Sequence, residues 1–330
     1  MLLLKKYSLV TLLGLSILIG CKNASKNKTA NEIELKKAVK PETTILGNYV
    51  SDGYEKRNEG YDWVAVSVSD LGNEMIKIKV RSRVDKKKPT CTFDAIAQKQ
   101  DDKTYKSVSN GKGVLFKIEN NMLSIASEFP EDDGILFFYC SGGASLGGNY
   151  KKINEAIDST QVDKTLFSKI LMLQDIGFNI SSVNRNGRNL LTVAPFGLQK
   201  VNRAETLETK GQVINAEVED LNADGSPEVL VFTKMEDDHQ SGAVYGFSVN
   251  NKKSMSQIYF PPIAENSKLN KGYRGQDEFT IVETSLVQRF PLFEETSNGS
   301  QKTGKTRQIS YKLKEGEAMR HFEVDKVSEY

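Results

Sequence analysis

Histidine is nearly missing from this chain. There are two in 330 residues, His239 and His321. Neither sits in a helical metal motif or beside a nucleophile elbow, which removes the usual residues of zinc hydrolases and triads. A Ser241, His239, Asp237 set would come from one short loop, whereas triads are assembled from separate elements. The chain therefore reads as a non-enzyme. Charge of one sign is also lacking: the net is +2, and with Lys5 and Lys6 removed 43 basic residues face 43 acidic ones. No basic domain or nucleic-acid motif is present, so nucleic acid is excluded as a partner. Cysteine is scarce, with three residues and no Cys-x-x-Cys, which argues against redox work. The longest apolar run, Leu9 to Ile19, is too short to span a bilayer.

What is there begins with that run. Lys5 and Lys6, the apolar stretch and then Leu18-Ile19-Gly20-Cys21 match a bacterial lipoprotein signal over residues 1–20. The expected product is lipidated at Cys21, and several acyl chains make a stable membrane anchor. An ordinary secretory signal is the plainer alternative. Residues 21–40 are Lys-rich and read as a flexible tether, or as a segment that hugs anionic lipid. The expected location is the cell envelope, at the outer membrane facing the periplasm. In such an oxidising compartment Cys91 and Cys140 are expected to pair.

Residues 41–153 read as a small antiparallel barrel or sandwich. Trp63 to Ser69 and Met75 to Val80 alternate apolar and polar, with a turn at Leu71 to Asn73. Further strands are expected at Cys91–Ala97, Val114–Ile118, Met122–Ser127 and Ile135–Cys140. Asn120-Asn121 makes a turn. The glycine-rich stretch from Tyr139 to Tyr150 suits a barrel closure, or a close approach by a ligand. A weak helical spacing from Glu155 to Leu171 suggests a linker helix over 154–170. Residues 171–330 then carry strand runs broken by Gly, Asn and Asp, which predicts an antiparallel β-sandwich or barrel. The expected fold class is thus all-β, in two β-rich domains.

The second half holds two candidate sites. Asp220, Asn222, Asp224 and Glu228 place oxygens at alternate positions before Gly225 and into a strand, a pattern that admits Ca²⁺. Position 12 of an EF-hand would be Val231, so an EF-hand is excluded. The plain reading is an Asx turn whose side chains cap their own backbone. No cofactor is required. The second site is the loop Glu236 to Ala243, with Ser241-Gly242 as its tip, followed by Tyr245.

The words DLNADGSPEV (220–229), SGAVYG (241–246) and NNKKSMSQIYFPP (250–262) resemble the periplasmic inhibitors of invertebrate-type (i-type) lysozyme. GYRGQDEF (272–279), LVQRFPLF (286–293), TGKTRQISYKL (303–313) and FEVDKV (322–327) continue the resemblance, which spans about 170–330. It implies a β-rich inhibitor domain whose Ser-Gly loop enters a lysozyme groove. That groove carries two carboxylates, so hydroxyls and free amides suit it. On this resemblance Ser241, Gly242 and Tyr245 would contact lysozyme, with Tyr273, Arg274 and Asp277 exposed as a second contact region. The family loop reads Ser-Gly-Ser-Tyr-Gly; here it is Ser-Gly-Ala-Val-Tyr-Gly, one residue longer. The family includes dimers, which leaves room for a homodimer. A plain hairpin is the alternative for the loop, and an envelope protein binding Ca²⁺ or glycan is the alternative for the whole. Residues 41–153 resemble lipocalin-like barrels and the barrels of c-type lysozyme inhibitors in architecture alone.

Overall fold

A computed structural model describes residues 44–297 and 299–330. The expected signal sequence, lipidation at Cys21 and Lys-rich tether lie outside the described residues. The described residues form one compact all-β unit. Among the described residues no helix is long and apolar enough to cross a membrane.

The first part is a closed barrel. Its strands are β1 (Gly47–Val50), β2 (Ala65–Gly72), β3 (Met75–Arg81), β5 (Phe93–Lys99), β6 (Thr104–Ser109), β7 (Lys112–Glu119), β8 (Met122–Ser127) and β10 (Gly148–Ile153), in the order β1-β10-β8-β7-β6-β5-β3-β2. Alternation drives closure: Ile76, Ile78 and Val80 of β3 are buried while Lys77 and Lys79 stay on the outer face. Tight hairpins carry positive φ at both central residues, at Asn73-Glu74 and at Asn120-Asn121. Asparagine tolerates this conformation better than most residues. The first turn is therefore centred slightly later than the sequence suggested.

Two-residue strands β4 (Thr90–Cys91) and β9 (Cys140–Ser141) pair beside the barrel, and Cys91 faces Cys140 directly. The expected disulfide joins them. The glycine-rich stretch serves this closure. A Cβ on Gly142 would lie 2.6 Å from Lys88 Cβ, and its φ is +71°.

Two sequence expectations are corrected here. Ile135–Cys140 is not a strand but a short helix, α1 (Gly134–Phe138), followed by β9. Ile135 and Leu136 are both buried while Phe137 and Phe138 are exposed, a grouping that one helical turn permits and a strand does not. Residues 154–170 do not form a linker helix. Asp158 accepts from the amide and hydroxyl of Thr160, and Asp163 accepts from those of Thr165. Such local bonds compete with the helix. Ile157 and Val162 pack on the cluster of Val50, Tyr54, Trp63 and Ala65.

The remaining strands form three four-stranded antiparallel meanders. The first holds β11 (Thr165–Leu173), β12 (Ile176–Arg185), β13 (Arg188–Phe196) and β14 (Glu205–Thr209). The second holds β15 (Gln212–Glu219), β16 (Glu228–Lys234), β17 (Gly242–Asn250) and β18 (Ser254–Ile258). The third holds β19 (Glu278–Val282), β20 (Ser285–Thr296), β21 (Gly299–Lys314) and β22 (His321–Glu329). The second sheet lies between the other two. Val229, Val231, Phe247 and Val249 join the core of the first sheet, and Leu230, Phe232, Val244 and Ile258 join that of the third. This is why residues 228–233 are buried without alternation.

The barrel is tied to the first meander by polar groups. Arg81 Nη1 lies 2.7 Å from Asp94 Oδ1, and both side chains are buried. Arg81 Nε donates to Thr165 O, and Ser168 N donates to Asp94 Oδ2.

Replacing Cys91 and Cys140 by Ala opens a loop of 49 residues' separation. Chain entropy sets the expected loss at about 4 kcal/mol. Denaturant unfolding of the oxidised protein and the double variant measures it.

Candidate functional site

The two segments singled out by the resemblance meet in space. β16 turns into β17 through a hairpin in which Met235 N donates to Ser241 O and Gln240 N donates to Asp237 O. The exposed tip is therefore Glu236 to Gln240, not Ser241-Gly242; Gly242 is already the first residue of β17. Against this hairpin lies the segment before β19. Gln276 N donates to His239 O at 2.8 Å. A Cβ on Gly275 would sit 2.3 Å from that same oxygen, and φ there is +78°, so glycine is required twice over.

Asp277 holds the two segments together. Its Oδ2 accepts from Gly242 N at 2.8 Å and from the Tyr273 hydroxyl at 2.7 Å. Its Oδ1 accepts from Gln288 Nε2 at 2.7 Å, and Gln288 Oε1 accepts from the Tyr311 hydroxyl at 2.7 Å. Asp277 is 4 % exposed, which corrects the expectation that it is a surface contact. Burial pushes its carboxyl above the ordinary range. Burial, and then the Asp277 charge, push Tyr273 upward, so it remains a donor. Tyr273 is half-buried, edge-on to Phe290 at 4.9 Å, again not a free surface anchor. Arg274 is exposed as expected and pairs with Glu295 at 2.9 Å.

Tyr245 goes elsewhere. In β17 its side chain and that of Val244 take opposite faces, and Tyr245 packs on the core of the first meander. Its hydroxyl accepts from Lys210 N at 2.7 Å. Burial raises its pKa. Ser241, Gly242, Tyr273 and Asp277 thus form one cluster, and Tyr245 is not part of it.

The acidic turn is committed to its own backbone and to one arginine. Asp220 accepts from Asp224 N, Gly225 N and Gln174 Nε2; Asp224 accepts from Ser226 N and Asn222 Nδ2. Glu228 accepts from Leu221 N and the Ser248 hydroxyl. Arg320, arriving from the far end of the chain, pairs with Asp224 at 2.8 Å and Glu228 at 3.4 Å, and also donates to Ser248 Oγ. Among the described residues no group of three or more His, Cys, Asp or Glu side chains has metal-holding geometry. Sequence reasoning missed Gln288, Tyr311 and Arg320. Gln288 is 11 positions from Asp277, Tyr311 is 23 from Gln288 and Arg320 is 92 from Glu228, and no local pattern marks them.

Asp277→Ala removes the acceptor of three donors, of which Gln288 is fully buried and the Gly242 amide and Tyr273 hydroxyl are partly buried, at about 1–3 kcal/mol for each one left unpaired. The expected result is a loss of several kcal/mol in denaturant unfolding and faster exchange of the Gly242 amide. Glu228 supplies a pH test. Burial pushes its carboxyl up to about 7. A folded value above the unfolded one means the contribution is fully present below the unfolded value and is lost as pH rises through about 7. Each unit of difference corresponds to about 1.4 kcal/mol. Unfolding followed from about pH 4 to 8 should show this fall, and Glu228→Gln should flatten it.

No protein-family model matches this chain, and no curated protein matches it. Among solved structures, an endo-1,4-beta-xylanase from Bacteroides thetaiotaomicron is similar over 86% of this chain and 95% of its own. The identity is 11% and the TM-score 0.29, too low to carry any argument.

Proposed function

We propose that this protein is a lipid-anchored protein of the bacterial envelope that inhibits a lysozyme, of the i type, by setting the hairpin 235–242 into the enzyme's groove. The observation that supports this is the Asp277 junction. Two segments named by the resemblance, some thirty residues apart, are clamped into one rigid support. A support of this kind lowers the ordering cost of binding. Fold alone would not suffice, since one scaffold hosts many functions.

The structure changes which atoms the proposal uses. Tyr245 supports the hairpin from within, so the projecting chemistry belongs to Glu236 to Gln240, where His239 and Gln240 are the side chains able to donate. The tip carries Glu236, Asp237 and Asp238, all exposed. Three acids at a tip fit a target whose groove is rimmed by positive charge and speed its capture at low salt. Such a complex should bury about 1,600 Å² in total. In the alternative, Ca²⁺ binding, Asp220, Asp224 and Glu228 would have to give up the amides and the Arg320 they now engage.

The test uses the chain from Lys22 onward against purified i-, c- and g-type lysozymes, with and without chelator. Selective inhibition of the i type, unchanged by chelator, is expected. His239→Ala with Gln240→Ala should weaken it at least about tenfold, or 1.4 kcal/mol. Tyr245→Phe should lower stability and leave inhibition intact. Raising salt should slow association. Absence of inhibition at micromolar protein would sink the proposal.

A further inference from the structure

The barrel wall has an opening. Between β5 and β6 the ladder holds two pairs, Gln98 with Lys106 and Lys99 with Tyr105. Residues 93–97 of β5 and 107–109 of β6 have no ladder partner across this seam. A cavity of about 220 Å³ lies there. Lys77, Ile96, Ser107 and Val108 line it from the barrel, and Lys169 and Ile214 from the neighbouring meanders.

Its chemistry is uneven. Ser107 is 4 % exposed, and its hydroxyl has no hydrogen-bond partner among the described residues. A buried hydroxyl without a partner is costly unless a ligand or water supplies one. Ile96, Val108 and Ile214 are each more than half exposed, so three aliphatic groups ring the opening. Lys77 has no ion pair among the described residues. Lys169 donates to Asn215 Oδ1 and Ala216 O, which leaves one of its three N–H groups. Burial lowers the pKa of Lys169, a cost that a nearby anion would offset. Asp94, the acid on this wall, is already held by Arg81 and Ser168 N.

We propose that this opening binds a short peptide, or an N-acylated amino acid, that ends in a free carboxylate. The carboxylate would lie between Lys77 and Lys169. Amide N–H and C=O groups would meet the unpaired strand edges and the Ser107 hydroxyl, as in strand addition. Short aliphatic side chains would rest on Ile96, Val108 and Ile214. The cavity has room for a fragment and not for a folded partner.

The probe is N-acetyl-alanyl-alanine, titrated by calorimetry and amide chemical shifts into the chain from Lys22 onward. Saturable binding with a Kd at or below about 1 mM is expected, with shifts at residues 95–97 and 107–109. The C-terminal amide of the same dipeptide should bind at least about tenfold more weakly, because it presents no charge to the two lysines. Lys77→Glu should weaken the acid by a similar factor and leave the amide unchanged. Val108→Trp should block both. Its melting temperature reports folding, and Lys77→Glu carries the test should Val108→Trp misfold. No saturable binding, equal affinity for acid and amide, or shifts centred elsewhere would overturn the proposal.

Discussion

The central meander is apolar on both faces and has to be covered twice. β16 is the reason. Its residues 228–233 are all buried, so successive side chains feed two different cores. At about 25 cal/mol per Å² of apolar surface, leaving either face in water would forfeit a large share of the unit's stability. The first and third meanders exist in this fold as the two covers. The same constraint buries Glu228 at the head of the strand, where Leu221 N, Ser248 and Arg320 must satisfy it. It also gives neighbouring residues of β17 different tasks. Val244 belongs to one core and Tyr245 to the other, while Gly242, at the strand's edge, is left to meet Asp277.

The barrel is attached by a different kind of force. Arg81 and Asp94 are buried together, and each makes a hydrogen bond to β11, Arg81 donating to Thr165 O and Asp94 accepting from Ser168 N. A buried ion pair adds little net stability compared with apolar packing, but breaking it is expensive. It therefore sets where β11 sits on the barrel rather than how tightly. With β11 held there, the parted ends of β5 and β6 open beside the meanders. That placement adds Lys169 and Ile214 of the meanders to the Lys77, Ile96 and Val108 that the barrel supplies.

Much of the fold was legible along the chain. Met75 to Val80 alternates, Asn120-Asn121 turns, and Cys91 pairs with Cys140 as expected. Each of these rests on interactions within a few residues, or on an inventory of three cysteines that leaves few pairings. The misreadings have the opposite character. The spacing in 154–170 resembled a helix because Ile157 and Val162 are apolar, but they face a cluster built from Val50, Tyr54, Trp63 and Ala65. Asp158 and Asp163 also hold local turns. Ile135 and Leu136 looked like strand residues because helix and strand share apolar runs at short length.

The candidate site divides along the same line. The sequence alone determined that a hairpin follows β16, that its loop is polar and acidic, and that glycines stand where the backbone must be tight. Those properties depend on residue type and spacing. Only the tertiary structure decided that Asp277 is a buried junction and Tyr245 a core residue. It also decided that Arg320 is the partner of the Asp224 and Glu228 carboxylates. Each of those roles depends on which face of a sheet is covered and by what, and chain segments tens of residues away supply the cover.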